Sequence, residues 1–205
     1  MATRIYGNRL LKTLPGLATR PTPARVREAL FNRWHSIIPG CHWLDLCSGS
    51  GAMAAEALCR GAACVVGIER SPQACRVIQA NWQSVAQPDQ QVSLLRGEVT
   101  QKLKTLAGQQ FDCIYFDPPY SSSLYQPVLR AIAELNLLKI GGAIAVECSP
   151  RLPLQIEIPE LRITSTKIYG NTAVVFLGWS ASGAKTPVPS LVDTAGKQPQ
   201  IDRPE

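Results

Sequence analysis

Between Cys41 and Cys148 the chain alternates short apolar runs with segments of helical spacing, and few folds accept that alternation. The runs are HWLDL (42–46), AACVVGIE (62–69), VSLLRG (92–97), FDCIYF (111–116) and GGAIAVEC (141–148). Between them lie AAEALCR, closed by Gly61, a helix from Ser71-Pro72 to about Ala86, a short helix over 99–107 and another over 123–138. Strands alternating with helices of this length predict a parallel sheet covered on both faces. The end breaks the pattern. LRITSTKIYG and TAVVFLGW meet around Gly170-Asn171, so an antiparallel hairpin closes the mostly parallel sheet.

Upstream, residues 1–22 read as extended and turn-rich. Thr22-Pro23 predicts an N-cap followed by proline at the first helical position, and Val26, Ala29, Leu30 and Trp34 continue at helical spacing until Pro39-Gly40. The formal net charge is +6, and residues 1–40 hold all of it: seven basic side chains against Glu28. Such a cluster suits a polyanion such as RNA or DNA; the plain alternative is a solvated basic face. Residues 180–205 carry four prolines and no apolar periodicity, which predicts a disordered tail. The expected organisation is therefore a basic extension (1–40), a main domain (41–179) and a tail. No run of about 18 apolar residues is present, so no membrane span is expected. No secretory leader is recognisable. Seven cysteines, an odd number without a C-x-x-C pair, suggest reduced thiols in the cytoplasm.

Gly49-Ser50-Gly51-Ala52-Met53-Ala54 fits G-x-G-x-x-A between a strand and a helix, and Glu69 ends the next strand. Glycines let the backbone approach a ligand, and a carboxylate there accepts hydrogen bonds from ribose hydroxyls. The arrangement serves NAD or S-adenosylmethionine. Asp45, four residues before Gly49, favours the second: an acid repels a pyrophosphate and attracts a sulfonium and an ammonium. Ser48 and Arg70 flank these positions and join the candidate cofactor set, as does Glu98, placed to meet an adenine amino group. The plain alternatives are a capping acid at Asp45, a helix-start acid at Glu69 and a surface acid at Glu98.

Asp117-Pro118-Pro119-Tyr120 follows the strand FDCIYF. Two prolines at a strand tip cannot extend the sheet and fix a rigid turn. That turn is expected at the carboxyl edge of the sheet, with the glycine loop. The exocyclic amine of a nucleobase is a poor nucleophile because its lone pair is delocalised into the ring. The Asp117 carboxylate and the Pro118 carbonyl can accept its two hydrogens and localise that pair, while Tyr120 offers a stacking face. The plain alternative is a proline turn with a buried aromatic.

The glycine loop together with the acid-proline tetrad resembles class I S-adenosylmethionine-dependent methyltransferases that act on amino nitrogens. Residues 20–32, RPTPARVREALFN, resemble the R-P-T-x-x-R-V-R-E-A-L-F-N signature of the RsmD family, which methylates guanine N2 in bacterial 16S rRNA. The likeness runs from Arg4 to about Trp179 and includes L-D-L-x-x-G-S-G and Y-G-N-T (169–172). It implies a Rossmann-like α/β fold with a seven-stranded sheet, S-adenosylmethionine as cofactor, and a monomer acting on 16S rRNA in the small ribosomal subunit or its assembly intermediate. It also implies RNA docking by the basic segment, with Arg4, Arg9, Arg20, Arg25 and Arg27 as candidates. Two positions depart from the family pattern: Asn8 replaces its second glycine, and Gly97-Glu98-Val99 replaces G-D-A. Rival readings are a DNA adenine-N6 or protein glutamine-N5 methyltransferase, a nicotinamide-dependent oxidoreductase, and a non-catalytic RNA-binding module.

Overall fold

The computed structural model describes residues 2–14, 22–181 and 183. The N-terminal segment is more ordered than an extended, turn-rich stretch. β1 (Ala2–Ile5) and β2 (Arg9–Lys12) form an antiparallel hairpin around a 3-10 turn at Tyr6–Asn8. The turn holds Gly7 and Asn8 at φ 70° and 63°. Asn tolerates this left-handed backbone better than most side chains, which accounts for Asn8 where the family pattern has glycine. Its Oδ1 also accepts from Arg4 Nη1.

α1 (Ala24–Arg33) leads into β3 (His42–Leu46), α2 (Ala52–Cys59), β4 (Cys64–Glu69), α3 (Pro72–Val85), β5 (Gln91–Arg96), α4 (Val99–Leu103), β6 (Phe111–Phe116), α5 (Tyr125–Glu134) and β7 (Leu138–Cys148). β8 (Leu161–Tyr169) and β9 (Thr172–Trp179) complete the chain order. The main sheet runs β5-β4-β3-β6-β7-β9-β8. Its pairings from β5 to β7 are parallel, and β9 pairs antiparallel with both β7 and β8. The expected architecture is therefore the observed one. Among the described residues no helix is long and apolar enough to cross a membrane.

Both faces of the sheet are covered, and alternate residues of each strand serve opposite cores. Trp43, Cys113, Tyr115, Val174 and Phe176 join one core with the hairpin, α1, α2 and α3. Leu44, Leu46, Ile114, Phe116 and Val175 join the other with α4 and α5. By the same alternation Asp45 lies on the α1–α3 side between Trp43 and the strand end.

Local boundaries differ from the periodicity in three places. Thr22 does not cap α1: Pro23 holds the N-cap position, and the Thr22 hydroxyl lies 3.0 Å from the buried Tyr115 hydroxyl. A buried phenol needs a polar partner, and that requirement outweighs the cap. α1 ends at Arg33 rather than at Pro39-Gly40, because the chain turns at Trp34 and Ile37–Ile38. α5 stops at Glu134, where Asn136 takes φ 53°, so Leu137 and Leu138 leave the expected 123–138 helix and β7 starts early. The expected 180–205 tail lies outside the described residues except for Ser180, Ala181 and Gly183, and Arg20 lies outside them entirely.

Candidate active site

The sheet order reverses between β3 and β6: successive strands step from β3 to β5 on one side and from β6 on the other. In open α/β sheets the crevice at such a point, beyond the carboxyl ends of the strands, takes the ligand. Both sequence motifs sit there. The glycine loop leaves β3 and the acid-proline tetrad leaves β6, and the Asp117 N–H donates to the Leu46 carbonyl at 3.3 Å.

The glycine loop is held open by its backbone and braced from below. Cys47, Gly49 and Gly51 adopt left-handed φ of 62°, 57° and 72°. The Ser48 hydroxyl donates to the Asp45 carbonyl at 2.9 Å, and Gly49 N–H donates to Glu69 Oε2 at 2.9 Å. The other Glu69 oxygen accepts from Ser71 N–H at 2.8 Å. Carboxylate oxygens have two acceptor directions each, so Glu69 retains capacity for hydroxyl donors. From α3, Trp82 Nε1 donates to the Gly51 carbonyl and Asn81 Nδ2 to the Ser50 carbonyl. A Cβ on Gly67 of β4 would lie 2.4 Å from the Trp82 ring, so this strand position requires glycine. Asn81 and Trp82 were not among the sequence candidates. Their only signal was a polar and an aromatic residue on the buried stripe of a helix.

Asp45 is buried, and its Oδ2 accepts from Ala54 N–H at the start of α2 at 3.3 Å. It is thus a capping acid as well as a carboxylate beneath the loop. Burial pushes its pKa up to about 7, with the Glu69 charge adding and the Ala54 hydrogen bond opposing. Asp117 is pushed well above the ordinary carboxylate range, first by burial, then by Glu147 and Asp45. Glu147, near the end of β7, is also buried and raised, and accepts from the Tyr115 hydroxyl. It stands out in the sequence only as one acid in an apolar run. Among the described residues, none of these three carboxyls makes an ion pair. A largely buried cluster of carboxyls with no cation partner suits a cationic ligand, such as one that carries a sulfonium and an ammonium group.

The tetrad forms a turn in which Ser122 N–H donates to the Pro119 carbonyl at 2.8 Å. Tyr120 is 37% exposed, and its hydroxyl lies 2.9 Å from the Thr172 hydroxyl. Y-G-N-T (169–172) therefore backs the Tyr120 ring. Arg70 and Glu98, at the ends of β4 and β5, are exposed and face each other at 3.7 Å.

The basic candidates divide. Arg4, Arg9 and Arg25 are exposed, and Arg25 lies over the Tyr169 ring at 5.8 Å. Arg27 does not stand with them. It is buried, pairs with Glu56 of α2 and donates to the Arg4 carbonyl, so its guanidinium is committed to the fold and not to phosphate.

The family described as conserved hypothetical protein 95 matches residues 3–178. The chain belongs to that family, the RsmD family. The ribosomal RNA small subunit methyltransferase D of Haemophilus influenzae is 30% identical over 151 residues, covering 73% of this chain and 78% of that protein. The Escherichia coli protein of the same name is 31% identical over 145 residues, covering 70% and 67%. Among solved structures, Escherichia coli YhhF, a candidate methyltransferase, superposes with a TM-score of 0.75 at 26% identity, covering 88% of this chain and 99% of YhhF. The sheet order and the C-terminal hairpin of this RsmD family member are those of the Rossmann-like class I methyltransferase fold.

Proposed function

We propose that this chain transfers a methyl group from S-adenosylmethionine to the exocyclic N2 of a guanine in 16S rRNA of the small ribosomal subunit, acting as a cytoplasmic monomer. The observation that carries this reading is the backbone bond from Asp117 to Leu46, which sets the acid-proline turn against the glycine loop at the switch point of the sheet. The names of the relatives support rRNA as the acceptor.

S-adenosylmethionine, when bound, supplies an activated methyl group on a positively charged sulfur. Gly49, Gly51 and Ser48 would line its approach, Glu69 would accept its ribose hydroxyls, and Asp45 would face its positive charge. Arg70 and Glu98 would meet its adenine end. The chain's own residues prepare the acceptor. Asp117 and the Pro118 carbonyl take the two amine hydrogens, which localises the lone pair on nitrogen. Pro119 keeps the turn rigid, so the geometry is set before the base arrives. Tyr120, steadied by Thr172, stacks the base, a contact worth about 1–3 kcal/mol. The target guanine has to leave its stack to enter this edge. Arg4, Arg9, Arg25 and the basic residue at position 20 would hold the surrounding phosphates.

The deciding experiment offers methyl-labelled cofactor with four acceptors: small subunits from cells lacking this protein, naked 16S rRNA, duplex DNA and a release factor. Label in the RNA, mapped to one guanine N2, is the expected result. Label in DNA or protein would replace this reading with the adenine or glutamine one, and cofactor binding without transfer would favour a binding module.

A further inference from the structure

Asp117 is not alone at the transfer edge. In the parallel register of β6 and β7, Tyr115 pairs with Ala145 and Phe116 with Val146, so Asp117 and Glu147 end neighbouring strands side by side. Glu147 is buried and Asp117 partly buried, and neither has an ion pair among the described residues. Two like charges so placed raise each other's affinity for a proton, and when something holds one of them ionised the other takes the proton. The Tyr115 hydroxyl does so, donating to Glu147 Oε1. The Thr22 hydroxyl adds to it, 3.0 Å from the Tyr115 hydroxyl and able to donate to it. Hydroxyl donors stabilise the carboxylate form, and among the described residues Asp117 has no such pair of donors. The other titratable groups facing the two acids are Asp45 on β3, Cys47 in the glycine loop, Tyr120 in the tetrad, Tyr125 on α5 and Cys148 on β7. Burial pushes the Cys47 thiol up to about 12 and the Tyr125 phenol upward too, so neither adds a negative charge beside the two acids near neutrality.

Resting on the function proposed above, we propose that Glu147 is a positioning residue of the transfer: kept ionised by the Tyr115 and Thr22 hydroxyls, it makes Asp117 the acceptor of the proton the amine must lose. The balance is complete within the site. The amine nitrogen bonds to the methyl carbon, the sulfur–carbon bond breaks and leaves a neutral thioether, and one amine proton passes to the Asp117 carboxylate. A more basic Asp117 both grips the amine hydrogens harder and receives that proton more readily. Thr22 belongs to the R-P-T stretch, so the same hydroxyl fastens the end of the N-terminal segment at this edge.

The test is the pH profile of kcat from pH 5 to 9, with saturating cofactor and saturating small subunits, for the wild type, Glu147→Gln and Tyr115→Phe. Ionised Asp117 is the active form, so activity falls on the acid side. Removing the neighbouring charge lowers the pKa of Asp117, and the acid limb in Glu147→Gln moves about one pH unit lower. In the same variant kcat at pH 8 drops about tenfold. Tyr115→Phe lets Glu147 take the shared proton, which moves the limb in the same direction by less. S-adenosylhomocysteine binding stays at the wild-type affinity in both variants. A limb at the wild-type position in folded Glu147→Gln overturns the proposal; should that variant not fold, an unmoved limb in Tyr115→Phe does the same. A wild type that methylates no acceptor overturns the proposed function and this inference with it, whereas an active wild type with unmoved limbs overturns the inference alone.

Discussion

Buried acids occupy two regions of this molecule, and their surroundings are opposite. Glu56, on α2, is 1% exposed and saturated with positive charge: Arg27 on one oxygen and Arg60 on the other at 2.8 Å. Asp45 and Glu147, at the carboxyl edge of the sheet, are as deeply buried, Asp117 beside them is partly so, and the three have hydrogen bonds but no cation among the described residues. Burying an unpaired charge is costly, so a fold that keeps three such groups together is shaped for something besides stability. The paired acid is architecture, and the unpaired ones form the proposed site.

The largest expected effect breaks the unpaired side. Asp117→Ala removes the acceptor of the amine hydrogens, and turnover on small subunits falls about 10²–10⁴-fold, the range for losing one positioned proton-handling group. S-adenosylhomocysteine affinity, measured by calorimetry, stays within a factor of two to three of wild type. Near-normal turnover would put the tetrad outside the chemistry.

Next comes the paired side. Arg27→Leu leaves Glu56 with Arg60 alone and the Arg4 carbonyl without its donor, and denaturant unfolding should show a loss of about 3 kcal/mol, the low end for breaking a buried pair because one cation remains. Turnover per folded molecule well below the melting point should be unchanged. Arg25→Ala gives the converse: wild-type stability and weaker binding to small subunits, more so at low salt. If the Arg27 variant lost RNA binding while keeping stability, the division of the two arginines would be wrong.

Asp45 sharpens the contrast through pH. Its carboxyl titrates at about 7 in the fold and near 3.8 when unfolded. Between these values the folded chain holds a proton that the unfolded chain has released, so stability falls as pH rises through that window. The ligand-free protein should melt higher at pH 5 than at pH 8. Asp45→Asn keeps an acceptor for Ala54 N–H but cannot ionise, so its melting temperature should vary less over the same range.

The sequence carried the framework because framework signals are local or periodic. Apolar runs, Gly49 and Gly51, the two prolines of the tetrad and the hairpin at Gly170-Asn171 each state their geometry within a few residues. What it hid depends on strands distant in the chain. Glu147 reads as a stray acid until β7 is laid beside β6, and Thr22 reads as a cap until Tyr115, 93 residues later, is found needing a partner. Arg27 looks like its neighbours Arg25 and Arg33, and only the placement of α2 against α1 separates it from them. Asn81 was invisible for the same reason. It clamps Lys12 of the hairpin through both of its polar atoms at 2.9 Å while supporting Ser50, a role no spacing rule contains.

The smallest effect lies where the two regions give way to open surface. Arg70 and Glu98 form an ion pair at 3.7 Å with both side chains at least half exposed. Water and salt screen such a pair, and exposed pairs contribute about 0–1 kcal/mol. Glu98→Gln should therefore shift the melting temperature by no more than about 4 °C. Its informative readout is cofactor affinity. Glutamine preserves one acceptor for an adenine amino group while releasing Arg70, so a change of less than about threefold in S-adenosylhomocysteine binding marks the pair as plain surface charge. A loss of tenfold or more would place Glu98 inside the cofactor site despite its exposure, and would mean that the boundary between site and surface runs outside the buried acids.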